Sequence, residues 1–373
     1  MTDIQKIFLR LVRLGIGCAN ENDNVNDNLD PVFWSGVDWE AVLALAERQG
    51  LSAVVADGIE CLPKEARPSK PVMLQLIGSV LQNYEYRHEL YRRAIAELAG
   101  FYNSHGFKMM VLKGFACALD WPKPEHRPSG DIDIWLFNQQ EAADKELVSS
   151  LRAQDSRFEI DNSHHHHTVF YWRDFMVENH YDFINVHARR SNAKLEKIFK
   201  ELGADDSHFV EEYGERVYLP SANLHSLFLI RHAVAHFAAE EIKLRQVLDW
   251  AFFLEKHGRE VDWLWLTGVL EEFGLRRFFD VLNAICVEDL GFAFNDNVNL
   301  NLDVDKALKE RVLGDILEPE FNEEQPKRLL PRVWFRFRRW QANGWKQRLC
   351  YNESRWSSFW SGVWNHLLKP SSI

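Results

Sequence analysis

The sequence predicts an α/β (α+β) protein: a small mixed β-sheet core with large helical N- and C-terminal additions. Three observations carry that prediction. Apolar residues recur at helical spacing through the first hundred positions and again after Asn223. Between Gly106 and Tyr181 the pattern changes to short segments rich in β-branched and aromatic residues. Two of these segments are separated only by Arg173-Asp174, a natural tight hairpin turn.

Taken in order, Ile4, Ile7, Phe8, Leu11 and Val12 place an apolar stripe along a helix over residues 4–16. Residues 20–30 are mostly Asn and Asp and read as a loop. Asp38 is placed to cap a helix beginning at Trp39, and Gly50 to stop it. A long helix is expected over residues 71–100. Strands are expected at 108–112, 131–136, 168–172 and 175–181, then helices from Leu224 to His232 and from Leu244 to Trp250. An acidic interval, 303–324, precedes a tail in which Arg328, Arg332, Arg336 and Arg339 interleave with Trp334, Phe335, Phe337 and Trp340. Burial of those aromatic rings favours folding of the tail back onto the acidic interval over a membrane surface, an RNA or an acidic partner. The expected divisions are a helical region 1–103, a sheet core 104–215, a helical C-terminal domain 216–300, and an acidic linker with basic tail 301–373.

A net charge of −11 argues against wholesale coating of nucleic acid. The five cysteines (18, 61, 117, 286 and 350) include no Cys-x-x-Cys pair, so neither a zinc site nor a disulfide framework is indicated. The N-terminus lacks a signal-peptide layout and no apolar run approaches a membrane span. A cytoplasmic protein without stable membrane insertion is the expectation.

The chemistry concentrates in Ser129-Gly130-Asp131-Ile132-Asp133-Ile134-Trp135. On a strand, Asp131 and Asp133 point to one face while Ile132 and Ile134 point into the core. Paired carboxylates at a strand end are hard oxygen donors suited to Mg²⁺ or Mn²⁺. Upstream, Met109-Met110-Val111-Leu112-Lys113-Gly114 reads as a buried strand ending in a glycine turn. Strand, glycine turn, short helix and Asp-x-Asp strand together suggest phosphate handling; Asp-x-Asp alone would be weak evidence.

As a set, Val111-Leu112-Lys113-Gly114-Phe115-Ala116, Arg127-Pro128-Ser129-Gly130-Asp131-Ile132-Asp133-Ile134 and Val177-Glu178-Asn179-His180 resemble the minimal core of the DNA polymerase β-like nucleotidyltransferases. Within that superfamily the resemblance is to the uncharacterised bacterial nucleotidyltransferases, and it spans roughly residues 106–190. It implies transfer of a nucleoside monophosphate from an NTP, with ATP the expected one, to an unidentified acceptor hydroxyl with release of pyrophosphate. It further implies Mg²⁺ or Mn²⁺ on Asp131, Asp133 and a third carboxylate from a neighbouring strand. Glu178 is the candidate, because the hairpin strand carries it beside the Asp strand; Asp182 is the alternative. Gly114 would admit the triphosphate to the backbone, with Lys113 as a charge partner. The superfamily's usual Ser or second Gly after the turn glycine is Phe115 here, which removes a small donor. Ser129 is the nearest substitute, and Arg127 is a candidate contact for phosphate or acceptor. His180, on the face of Glu178, and Arg245 are the candidates for touching substrate.

Blander roles stand beside these. The histidine run 164–167 reads as a loop entering the hairpin, with one ring facing the cleft, since consecutive strand residues alternate faces. His232 and His236, one helical turn apart, read as polar helix packing, and Arg245 with Asp249 as an intrahelical pair. The rival functions are an Asp-x-Asp glycosyltransferase, disfavoured by the helical first hundred residues, and a catalytically degenerate module that binds nucleotide or a partner.

Overall fold

The structure, a computed structural model, describes residues 1–17, 31–34, 36–152, 158–164, 166–294, 298 and 300–354. The expected loop at 20–30 and the last residues of the tail lie outside them.

The N-terminal helices form where expected, and their starts are capped. In α1 (Asp3–Gly15), Thr2 and Gln5 make a reciprocal capping box. In α2 (Trp39–Gln49), the Asp38 side chain accepts from Ala41 N–H, and Gly50 closes the helix with φ +69°. Helix α3 (Ser52–Glu60) packs against both.

The single long helix expected over 71–100 is α4 (Lys70–Val80) and α5 (Arg87–Ser104), joined without a break by a π-helical segment at Leu81–Tyr86. The wider turn re-aims the apolar stripe. Before it and within it, Leu76, Val80 and Tyr84 face the N-terminal helices; after it, Tyr91, Ile95, Leu98 and Tyr102 face the sheet.

Six strands form one mixed sheet in the order β3-β4-β2-β1-β6-β5. They are β1 (Met110–Val111), β2 (Ile132–Trp135), β3 (His167–Trp172), β4 (Phe175–His180), β5 (Phe209–Glu212) and β6 (Glu215–Tyr218). Strand β2 runs parallel to β4 and antiparallel to β1, and β3 and β4 form the expected hairpin. The β5–β6 hairpin was not foreseen: its strands are short and half of their residues are charged, so no clean apolar alternation marks them. Its turn does carry a signal, since Tyr213 and Gly214 both take positive φ (49° and 84°), as a two-residue hairpin turn requires.

The sheet divides two cores. On one face Ile132, Ile134, Phe170 and Val177 pack with α5 and with α7 (Gln140–Arg152). On the other, Trp135 stacks near Phe183, and Phe183 on Phe199. That face is covered by α8 (Asn192–Leu202) and by α9 (Ala222–Ala239), which Ser221 caps. The short helix α6 (Phe115–Ala118) follows β1.

Helices α10 (Leu244–His257), α11 (Trp263–Glu272), α12 (Arg276–Ala284) and α13 (Lys306–Leu317) extend the second core. The basic tail forms α14 (Leu329–Ala342) and α15 (Gly344–Cys350). It does fold back on its own chain. Arg338 pairs with Glu323, the Phe335 ring lies 5.3 Å from Phe321, and Lys346 makes a buried 2.5 Å pair with Asp315. Among the described residues, no helix is long and apolar enough to cross a membrane.

Candidate active site

Strand register assembles the site. Asp133 on β2 is the direct partner of Glu178 on β4, and Trp135 is the partner of His180. Alternation then puts Asp133, Glu178 and His180 on one face of the sheet. Their potential ligand atoms all lie within 4.8 Å of one another. His180 Nε2 lies 3.2 Å from Asp133 Oδ1 and 3.5 Å from Glu178 Oε2. Lys113, just past β1, reaches Asp133 Oδ1 at 3.1 Å.

Asp133 is 1% exposed. Burial alone would raise its pKa, but Lys113, His180 and His232 outweigh that and hold the carboxyl well below its usual range. Burial likewise disfavours the charged form of His180, yet its bonds to Asp133 and Glu178 lift it to about 9. Glu178 is held down, and Lys113 up, by the same interplay of burial and opposite charge. The second Asp133 oxygen, Oδ2, is buried without a hydrogen-bond partner. A buried orphan carboxylate oxygen beside a second carboxylate is what a hard divalent cation would satisfy, so the donor set fits Mg²⁺ or Mn²⁺.

Asp131 immediately precedes β2 and is half-buried. Its carboxylate is outside the close group, although it perturbs both Lys113 and Arg245. Its backbone carbonyl accepts a 2.7 Å bond from Tyr91 Oη. That hydroxyl also explains Gly114, whose φ is +63°: a Cβ there would stand 2.4 Å from Tyr91 Oη and 3.3 Å from the Asp131 carbonyl. Phe115, in place of a small donor, turns its ring into the core under the sheet. Ser129 Oγ is buried with no hydrogen-bond partner, and the Ser129 carbonyl accepts from Arg87 Nε.

Two expectations are redirected. Arg127 is buried in a two-pronged pair with Asp249 of α10, Nε to Oδ1 at 2.7 Å and Nη2 to Oδ2 at 3.0 Å. Trp121 Nε1 donates to the same carboxylate at 2.9 Å. Arg127 thus clamps the segment before Asp131 onto α10, with Nε and Nη2 engaged there. With Asp249 so occupied, the intrahelical Arg245–Asp249 hydrogen bond is not made. Arg245 instead has only a 3.5 Å contact to the Pro128 carbonyl, and its Nε is buried without a partner. Asp182 does not join the group of Asp133, Glu178 and His180; it lies beyond β4 and pairs with Lys200 at 2.5 Å. Glu196 holds this exit from β4 in place by accepting from the N–H groups of Phe183 and Ile184.

The site also recruits residues first read as structural. His232 and His236 of α9, their rings 4.3 Å apart, are held below the usual imidazole range by burial and by the Lys113 ammonium, and His232 in turn helps hold Asp133 down. His167 belongs to the same surroundings, being perturbed by Glu178 and His180. Their one-turn spacing and histidine clustering were visible in the sequence; the register that brings them here was not.

The family profile described as uncharacterised nucleotidyltransferase matches residues 35–291. The chain belongs to that family. This nucleotidyltransferase family member therefore carries its matched region from α2 through α12, including all six strands and the site face. Among solved structures, it is similar to an antigenic nucleotidyltransferase-like protein from Paracoccidioides brasiliensis at 15% identity, covering 44% of this chain and 75% of that one, with a TM-score of 0.32. Among curated proteins, none matches.

Proposed function

We infer that this family member is a divalent-cation-dependent nucleotidyltransferase that moves a nucleoside monophosphate from an NTP to an acceptor hydroxyl and releases pyrophosphate. The observation that carries the reading is the opposition of Asp133 and Glu178 on adjacent parallel strands, with Asp133 Oδ2 buried and unsatisfied.

Asp133 and Glu178 would hold Mg²⁺ or Mn²⁺, with Asp131 at the open edge. Bound there, the ion would offset charge on the α-phosphate oxygens and make the acceptor hydroxyl easier to deprotonate. Lys113, its ammonium 3.1 Å from Asp133 Oδ1, would suit the anionic β- and γ-phosphates. Arg245, its Nε buried without a hydrogen-bond partner, suits a second phosphate contact. Gly114 admits the positive φ that turns the chain from Lys113 into α6. His180 fixes the spacing of the two carboxylates and keeps positive charge beside them. ATP is the working choice of NTP.

The test uses ATP labelled at either the α- or the γ-phosphate, with Mg²⁺ or Mn²⁺ and panels of hydroxyl-bearing acceptors. Transfer of α-label with release of pyrophosphate supports the proposal. Transfer of γ-label, or nucleotide binding without divalent-cation dependence or turnover, contradicts it.

A further inference from the structure

Beside the carboxylates, the same sheet face carries a group of imidazoles of which the transfer chemistry uses only His180. His167 of β3 is the register partner of His180 of β4, so the two side chains emerge next to each other across the hairpin. His166 sits in a bend just before β3, which releases it from strand alternation. Its carbonyl accepts from both Tyr181 N–H and Asp182 N–H at 3.1 Å, tying the bend to the end of β4. Ring centroids are 4.3 Å apart for His166 and His167, 5.3 Å for His167 and His180, and 5.7 Å for His166 and His180. One ring nitrogen from each of the three lies within 4.8 Å of the others. His167 is only 7% exposed, and its Nδ1 is buried without a hydrogen-bond partner. A buried ring nitrogen left without a partner calls for a ligand.

We propose that His166, His167 and His180 form a binding site for a borderline-soft transition-metal dication such as Zn²⁺. Three imidazole nitrogens are the wrong donors for Mg²⁺, which seeks oxygen, and the right ones for Zn²⁺. Imidazole nitrogens bound tetrahedrally at about 2.1 Å stand about 3.4 Å apart, so side-chain rotation of roughly an ångström closes the group on an ion. Three protein ligands leave a fourth position open to water or to an anionic group of a substrate. The two donor sets on this face share only His180, which must release the proton it holds between Asp133 and Glu178 to bind the ion. The proposal stands whether or not the chain transfers nucleotides.

The test titrates Co²⁺ into the untagged, chelator-stripped full chain and follows its visible absorption, with Zn²⁺ as competitor. One Co²⁺ per chain is expected, with the spectrum of a nitrogen-bound ion of low coordination number that Zn²⁺ displaces. His166→Ala, His167→Asn and His180→Ala should each weaken binding by at least about 100-fold, more than loss of an outer-sphere partner does. Asp131→Asn should leave the affinity unchanged, and circular dichroism confirms that each variant folds. Full affinity in His180→Ala would mean that the histidine run chelates unaided, and would overturn the proposal. So would wild-type binding no tighter than that of His167→Asn. No step of the experiment reads nucleotide transfer, so the two readings fail separately.

Discussion

Asp133 and Glu178 face each other across two parallel strands that are distant in sequence, with His180 bridging their carboxylates at 3.2 Å and 3.5 Å. Neither carboxylate is well placed alone. The pairing depends on register, because a one-residue slip of β4 would turn Glu178 and His180 into the opposite core.

His180 gives the site a pH signature. Its folded pKa of about 9 exceeds the ordinary imidazole value near 6.5, so its stabilising contribution is complete below about pH 6.5 and is lost as pH rises through about 9. Chemical denaturation from pH 6 to 9.5 should show a loss of about 3 kcal/mol in the wild type that is largely missing in His180→Gln. An identical pH dependence in the two proteins would remove His180 from the account.

Gly114 should be intolerant of a side chain for a stated reason. Gly114→Ala is expected to cost about 1–3 kcal/mol from its backbone conformation, and more from the approach to Tyr91 Oη. In a Tyr91→Phe background the added cost should shrink, because the atom it collides with is gone. Equal costs in both backgrounds would show that the contact plays no part.

Arg127 is expected to behave as a structural clamp. Arg127→Ala strands the buried Asp249 carboxylate and should destabilise the protein by about 3–5 kcal/mol. Replacing both, as Arg127→Met with Asp249→Leu, should recover much of that loss and leave the KM for NTP near the wild-type value. A KM raised many-fold in a stably folded double variant would return Arg127 to the phosphates.

Much of this was legible in the sequence. The cap at Asp38 marks a real helix start, and the Arg173-Asp174 hairpin forms where turn chemistry places it. Asp133, Glu178 and His180 meet because alternation puts them on one face and their strands are neighbours. Asp131 sits apart from the close group because pairing in β2 begins one residue later. Asp249 was invisible as the partner of Arg127, since nothing local links positions 122 residues apart. The π-helical segment was equally hidden, because one extra residue in a turn does not disturb helical composition.

Binding of Mn²⁺ in the presence of a non-hydrolysable ATP analogue, measured by calorimetry, tests the central claim most directly. Wild type should bind Mn²⁺ with nucleotide present, while Asp133→Asn and Glu178→Gln should each bind at least about 100-fold more weakly. Wild-type affinity in both variants would contradict the account.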